Sequence, residues 1–314
     1  MKILGNTADK GGQSIYIIMS ELQELCRIGT AGEYMKGNYS DTDSDENELE
    51  GIPISFDQFQ ALTSEQIVKQ QRPLEYICTN PQEDIWHLQT GAVQSIESED
   101  QYWCGNTDEP CESIEYALMQ ISIRKGGSET TFISEKKIGI TEGGFELSDP
   151  IEFNQQSYSG DIKIMKQMYK TTSAIQGNAE IKIKKDNNDS KEDGKQGWIS
   201  SVGGITVRIY EIKITTDQSI LAIPVFYIQD TNTQLELDTV TISGINFSPT
   251  TQAKGIVHIN TIIGAFIAQN NVFENITIEG EGGNAIRFDN NINSTITASI
   301  SNCSFKNINA KADS

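Results

Sequence analysis

The chain has 314 residues, 24 Lys and Arg against 44 Asp and Glu for a net charge of −20, and a hydrophobic fraction of 37%. So acidic a chain has no basic stripe for phosphates, which excludes nucleic acid as a partner, and an acidic membrane surface repels it. The apolar fraction is thin for a compact globule yet well above that of a disordered chain, which suits an elongated repeat with much surface per residue.

No apolar run reaches 18 residues, so no transmembrane helix and no direct membrane insertion are expected. Met1 to Asn6 lacks the apolar stretch of a signal peptide, at odds with the secreted character of the remaining sequence. The expectation is that the chain is a fragment.

Residues 1–19 read as the tail of a preceding β-helix module. Gly11-Gly12-Gln13-Ser14-Ile15-Tyr16-Ile17 matches Gly282-Gly283-Asn284-Ala285-Ile286-Arg287-Phe288 in kind, as a turn followed by an alternating strand. Residues 20–100 form an irregular α+β spacer. Within it, Asp41 to Glu50 carries six carboxylates and no cation and reads as a solvated loop. Asp41, Asp43 and Asp45 match the opening ligand positions of an EF-hand, but Glu46 replaces the required Gly and Ile52 the closing Glu, so no metal site is assigned. Thr63 and Gln66 form a capping box that opens a short helix, and Pro73 ends it. Asp84 to Leu88 is a candidate strand.

A repetitive module is expected from residue 101 to 314. It begins with Tyr102-Trp103 as a strand and a polar loop bracketed by Cys104 and Cys111. A helix follows over Ser113–Gln120, with Ile114, Ala117 and Leu118 on one face to plug the open end of a solenoid. Short runs alternating apolar with polar come next, among them Ile138–Ile140, Ile151–Phe153, Ile162–Ile164, Ile181–Ile183, Ile205–Ile209, Ile212–Ile214, Leu235–Leu237 and Val240–Ile242. Each buries one face, and no long helix interrupts them. Asn270 to Ile276 repeats as Asn302 to Ile308, and Ser243 to Phe247 is a weaker copy. The fold class predicted is all-β, a right-handed parallel β-helix of three-strand coils with a short N-terminal capping helix. Phe247, Phe273 and Phe305 are expected to stack inside it, with Asn275 and Asn307 as a ladder at a turn.

Residues 101–314 resemble the pectin-lyase-like right-handed β-helix superfamily. The Cys-Gly-x4-Pro-Cys-x-Ser-Ile-x2-Ala-Leu opening resembles that of repetitive protist surface proteins. The Gly-Gly-x-x-Ile and Phe-x-Asn rungs resemble polymorphic outer-membrane-type passengers. The resemblance implies a surface or adhesion-type role, mostly without catalysis.

Candidate sites are few. A Cys104–Cys111 disulfide would close a loop of about eight residues and stabilise by about 2.5 kcal/mol; the alternative is two free thiols in a reducing compartment. Cys26 and Cys78 bracket the spacer and form a second candidate pair. Cys303 reads as a small buried filler. Neither a second Cys pair nor a nearby His completes a zinc site. Six Asn-x-Ser/Thr triplets occur, at Asn38, Asn188, Asn246, Asn275, Asn293 and Asn302. Asn38, Asn188 and Asn293 lie in loop-like contexts and are the better glycosylation candidates.

No catalytic residue, cofactor or metal is assigned. Asn106-Thr107-Asp108 has the letters of a polygalacturonase motif but lies before the first full coil. His258, Arg287 and Asp289 are expected on one strand face, as solvated residues or as a ligand-contact patch. The leading expectation is a non-enzymatic extracellular or cell-surface scaffold that contacts a glycan or a cell-surface ligand. A polysaccharide lyase or glycoside hydrolase of the same fold, for which clustered Asp with Lys or Arg on one coil face is the signature, is the alternative. An inert fragment of a larger repeat array is the third reading.

Overall fold

The structure, a computed structural model, describes residues 15–22, 49–74, 85–90, 98–100, 104–105, 110–125, 135–158, 160–166, 179–185, 191–249, 255–279, 284–289 and 294–311. Cys26, Cys78, Asn38, Asn188, Asn293, the acidic loop around Asp41, Tyr102-Trp103 and Asn106–Asp108 lie outside the described residues. The chain divides into two compact units, one of residues 1–83 with 100–104 and one of residues 84–99 with 105–314.

In the first unit, β1 (Ile15–Ile18) pairs parallel with β2 (Leu49–Ile52), and β2 pairs antiparallel with β3 (Arg72–Pro73). Two helices stand between β2 and β3. Helix α2 (Ser64–Gln70) starts at the expected capping box: the Gln66 amide donates to the Thr63 hydroxyl and the Thr63 amide to Gln66 Oε1. A second box, Ser55 with Gln58, opens α1 (Phe56–Ala61). Ile52 and Ile54 form a small core under Tyr16, Ile18, Phe59 and Leu62.

The second unit is built from parallel strands. It opens with β4 (Ile85–Leu88), which lies within the stretch read as spacer yet pairs with the first long strand of the repeat. Helix α3 (Ile114–Lys125) comes next, with the Ser113 hydroxyl accepting the Tyr116 amide at its start. Ile114, Ala117, Leu118 and Ile121 are buried, the i, i+3, i+4, i+7 stripe that one helix face presents. α3 packs against β4 and the strand after it. No helix among the described residues is long and apolar enough to cross a membrane.

From residue 135 the chain visits three sheets in rotation. A first pass is β5 (Glu135–Ile140), β6 (Phe145–Leu147) and β7 (Ile151–Asn154). The second is β8 (Asp161–Lys166), β9 (Ala179–Ile183) and β10 (Ile199–Val202). The third is β11 (Thr206–Tyr210), β12 (Ile212–Thr216) with its continuation β13 (Ile220–Leu221), and β14 (Phe226–Gln229). The fourth is β15 (Thr233–Asp238), β16 (Thr241–Ser243) with β17 (Asn246–Phe247), and β18 (Gly255–Asn260). Then come β19 (Ile263–Gln269), β20 (Val272–Glu279) and β21 (Asn284–Phe288), and finally β22 (Thr295–Ser301) and β23 (Ser304–Lys311). The first sheet runs β4-β5-β8-β11-β15-β19-β22 and the third β7-β10-β14-β18-β21. The second holds the strands between, with β23 paired to β20. This arrangement is compatible with a solenoid.

Register turns sequence alternation into columns. In the first sheet Trp86, Ile138, Ile164, Ile209, Leu237 and Ala268 fall in line, all buried. A parallel column starts at Lys136 and continues through Ile162, Val207, Leu235 and Phe266. Lys136 is itself buried, and burial lowers its ammonium pKa.

Left-handed residues mark the corners. Between the first and second sheets stand Glu211, Thr239, Asn270 and Asn302, with φ of 54°, 57°, 55° and 51°. Their amides donate from pass to pass: Glu211 to the Asp238 carbonyl, Thr239 to that of Gln269, Asn270 to that of Ser301. A second corner column holds Gly244, Asn275 and Asn307, with φ of 67°, 54° and 52°. Asn tolerates this conformation best among side-chain-bearing residues, which explains its recurrence. The expected ladder forms, with Asn307 Nδ2 donating to Asn275 Oδ1 at 3.0 Å. Asn302 Nδ2 donates to Asn270 Oδ1 at 3.4 Å, and Asn270 Nδ2 to Asp238 Oδ1 at 3.0 Å.

The predicted phenylalanine stack needs correction. Phe273 and Phe305 are in register and stack with centroids 4.9 Å apart and planes 9° from parallel. Phe247 is buried but pairs with Ile278, while Ile242 occupies the row of Phe273. The corner residue Gly244 is the counterpart of Asn275, so Phe247 lies after the corner and Phe273 before it. Phe305 is also 47% exposed rather than enclosed. Cys303 is half-buried, with a free thiol against the Ala268 and Ser301 carbonyls.

Candidate ligand-binding site

The third sheet brings His258, Arg287 and Asp289 together. In β14, β18 and β21, Phe226, Val257 and Ile286 share one column, and Ile228, Ile259 and Phe288 another. Between them, on the opposite face, runs Ser200, Tyr227, His258, Arg287. Alternation predicts a solvated column. Instead Tyr227 is only 4% and His258 only 2% exposed. One cause is the segment entering β10, where a Cβ on Gly197 would stand 2.6 Å from that of Tyr227.

The imidazole of His258 stacks on Tyr227, centroids 5.4 Å apart at 27°. Its Nε2 lies 3.2 Å from Asp289 Oδ2, and Arg287 Nε donates to Asp289 Oδ1 at 2.8 Å. Burial lowers the His258 pKa, with the Asp289 charge acting to raise it and Arg287 to lower it further. The ring is therefore neutral at pH 7. A neutral ring facing a carboxylate through Nε2 carries its proton there, which leaves a lone pair on Nδ1. That Nδ1 is buried and has no hydrogen-bond partner among the described residues.

Tyr227 extends the site sideways. Its hydroxyl accepts from Asn260 Nδ2 at 3.1 Å. Burial raises the phenol pKa; the Asn260 hydrogen bond opposes this, and Asp230 and Asp289 add to it. Asn260 also lines an open cavity of about 500 Å³ together with Gln229, Asp230, Thr231 and Ile262. Asp230 is fixed by its surroundings: its φ is 74°, its Oδ2 accepts the Gly203 amide at 3.0 Å, and its carbonyl accepts the Thr261 hydroxyl. The cavity thus offers two amides, a hydroxyl and a carboxylate beside one exposed apolar side chain, Ile262. Such a set exchanges hydrogen bonds with hydroxyl groups and leaves a small apolar contact. Among its described lining residues there is one carboxylate, Asp230, and so no pair of opposed carboxylic acids.

A second polar cluster, of the composition that the sequence suggests only as a lyase signature, lies on the first sheet. Arg208 bonds Asp161 at 2.8 Å and lies 3.3 Å from both Glu135 and Glu236. Tyr210 donates to Glu236 at 2.8 Å, and the Lys163 ammonium sits 4.6 Å from the Tyr210 ring centre. Burial works to lower the Arg208 pKa, but the Asp161 hydrogen bond and the Asp161 and Glu135 charges outweigh it and the pKa rises. A guanidinium held this firmly in its charged form is no proton acceptor. A third cluster surrounds the buried carboxylate of Glu192, which takes the Lys185 ammonium, the Trp198 indole N–H at 2.9 Å and the Ala222 amide at 3.1 Å. Its partners come from residues 185, 198 and 222, so the cluster fastens the 191–198 segment to neighbouring strands.

Cys104 and Cys111 form the predicted disulfide, and both are buried. The Cys111 amide donates to the His87 carbonyl and the His87 amide to the Gly105 carbonyl. Gly105 has φ of 113°, and a Cβ there would stand 2.3 Å from the Trp86 ring, so only glycine fits.

No protein-family model, no curated protein and no solved structure matches the chain.

Proposed function

We propose that the parallel-strand unit is a single right-handed β-helix, similar in plan to the pectin-lyase-like folds. In this reading the protein is a non-enzymatic scaffold of adhesin type, secreted or held at the cell surface, that binds a glycan. The rotation of the chain through three parallel sheets supports the solenoid. The disulfide is compatible with an oxidising compartment. The observation that carries the binding role is the polar cavity of Gln229, Asp230, Thr231 and Asn260 beside the buried Tyr227–His258 stack. Its chemistry is that of hydroxyl recognition.

A glycan panel probed with the full chain and with Asn260→Ala tests this. The expected result is retention on a subset of glycans that the variant loses, since Asn260 both lines the cavity and holds the Tyr227 hydroxyl. Absence of retention on every glycan sinks the ligand class. For the compartment, non-reducing peptide mass spectrometry of the native protein should find Cys104 linked to Cys111; free thiols there would remove the extracellular reading.

One observation favours a second reading. Glu135, Asp161 and Glu236 cluster with Arg208 and Lys163 on one face, the composition a β-helix lyase would use. Release of unsaturated uronate from polygalacturonate, lost in Lys163→Ala, the cation of the cluster left to accept a proton, would establish it in place of the scaffold role.

A further inference from the structure

The cavity beside the Tyr227–His258 stack carries a charge that hydroxyl recognition leaves unused. Its described lining is Gln229, Asp230, Thr231, Asn260 and Ile262, with one carboxylate and no cation. Arg287, the cation of the adjoining column, bonds Asp289 at 2.8 Å. The next residues of the sequence after Asp289, Asn290 to Asn293, are uncharged. Asp230 follows β14 as Gly203 follows β10, and both have left-handed backbone, with φ of 74° and 64°. Glycine meets that demand with the least strain, so the corner itself asks for no carboxylate. Asp230 clasps the earlier pass with one oxygen only, its Oδ2 accepting the Gly203 amide at 3.0 Å. The residue is exposed on the cavity wall.

We propose that the cavity takes the charged amine of an amino sugar, with Asp230 as its counter-ion, so that the protein prefers free hexosamine over neutral, N-acetylated or uronate sugars. The inference rests on the glycan-binding reading and names the sugar class within it. An ammonium donates three hydrogen bonds and accepts none. The Asp230 carboxylate accepts one of them with the help of its charge. The amide oxygens of Gln229 and Asn260 and the Thr231 hydroxyl are further acceptors on the same wall. N-acetylation removes the charge and leaves a single N–H donor. A uronate carboxylate meets Asp230 as a like charge, in a chain that already carries −20. Ile262, 49% exposed, offers the apolar contact for the C–H face of the ring. The wall is open to solvent, so the preference is about three- to tenfold, and added salt weakens it.

Isothermal titration calorimetry of the full chain tests it with tetraglucosamine, its N-acetylated form and cellotetraose, which share one linkage and differ only in the substituent on carbon 2. The buffer is at about pH 6.5, where an amine is charged. Tetraglucosamine should bind about three- to tenfold more tightly than the other two. Asp230→Asn keeps an oxygen for the Gly203 amide but loses the charge, and should level the three. Glu142→Gln, which removes an exposed carboxylate from the turn between β5 and β6, should leave the preference intact. Raising the pH to about 9 uncharges the amine and should erase the preference in the wild type, a readout that needs no variant. Neutral tetrasaccharides bound as tightly as tetraglucosamine overturn the amine assignment and leave the glycan reading standing. A preference that survives in Asp230→Asn also overturns it, because the net charge of the chain then attracts the amine. Binding abolished by EDTA overturns it in favour of a bridging metal ion. No binding of any of the three overturns the amine assignment, and the wider glycan panel then decides the glycan reading separately.

Discussion

Asn271 holds a corner between the first and second sheets from the inside, and its removal should be strongly destabilising. It is 1% exposed. Its Oδ1 accepts the Val240 amide at 2.8 Å and its Nδ2 donates to the Leu237 carbonyl at 3.0 Å. Both partners flank Thr239, which sits in the left-handed region at φ 57° and brings no compensating side-chain preference for it. Asn271→Ala therefore orphans one buried donor and one buried acceptor, each costing about 1–3 kcal/mol. The vacated amide leaves room for a water, which recovers part of this. The expected loss is about 2–4 kcal/mol. Asn275→Ala is the control. Asn275 shares an exposed side-chain hydrogen bond with Asn307 and has φ 54°, so its loss should cost only about 1–2 kcal/mol from the weaker bond and the left-handed strain. Urea titrations monitored by far-UV circular dichroism, compared at equal slope, measure both. If Asn271→Ala costs no more than Asn275→Ala, the buried corner does not depend on its side-chain clasp and the reasoning fails.

The same geometry sets three further outcomes. Reducing Cys104–Cys111 should lower stability by about 2.5 kcal/mol, from restored freedom of a loop of about eight residues; equal urea midpoints with and without reductant would refute this. Because burial holds the His258 pKa below its ordinary value near 6.5, the unfolded chain takes up that proton first as pH falls. Stability is then complete above about pH 6.5 and declines toward the lower folded pKa; His258→Gln should flatten this acid-side slope, and unchanged slopes in midpoint-versus-pH curves would count against it. Arg208→Met should cost about 1–3 kcal/mol by leaving Glu135, Asp161 and Glu236 facing one another, and salt should restore part of the loss; salt-independent midpoints would show that the three acids do not repel.

Much of the fold was legible because a stacked parallel sheet repeats its demands. Ile138, Ile164 and Ile209 announce a buried column through simple alternation. Asn270, Asn275, Asn302 and Asn307 announce corners because few side chains accept a positive φ. The helix stripe of Ile114, Ala117 and Leu118 is equally plain. Register is less legible. Phenylalanine suits any inward position on either side of a corner, so matching Phe247 to Phe273 puts it in the wrong column. Matching the left-handed residues Gly244 and Asn275 gives the right one. Lys136 heads an apolar column, and only the structure reveals it, because a Lys in a strand reads as outward. Strand β2 and helix α1 carry short, weak patterns that alternation alone does not reveal, although the Ser55–Gln58 box is a readable start signal. The Arg208 network joins residues from four passes of the chain, and no local spacing could assemble it. The Tyr227 and His258 pair is hidden for another reason: alternation assigns them to solvent, but the segment around Gly197 packs on Tyr227, and the Tyr227 ring and Asp289 lie against His258.

That burial is the strongest argument for function on the third sheet. Inward columns keep one chemistry from pass to pass because stacking demands it. The outward column changes at every step, from Glu152 through Ser200, Tyr227 and His258 to Arg287. Stacking alone would be served there by threonine or valine, which fit a pleated surface without burying a titratable ring. Instead an imidazole is enclosed with its Nδ1 lone pair unmet among the described residues, at a cost of about 1–3 kcal/mol. The same ring orients Asp289 and Arg287 on one side and rests on Tyr227 on the other, and Tyr227 in turn holds Asn260 at the cavity wall. Under the proposed binding role, such a residue serves by positioning four polar neighbours beside an open cavity, which stacking alone does not require. His258→Phe separates the two ideas. It keeps the stack and removes the unmet nitrogen, so the fold should gain stability while glycan retention falls; a variant that gains stability and retains its ligands unchanged would return His258 to the role of an imperfect filler.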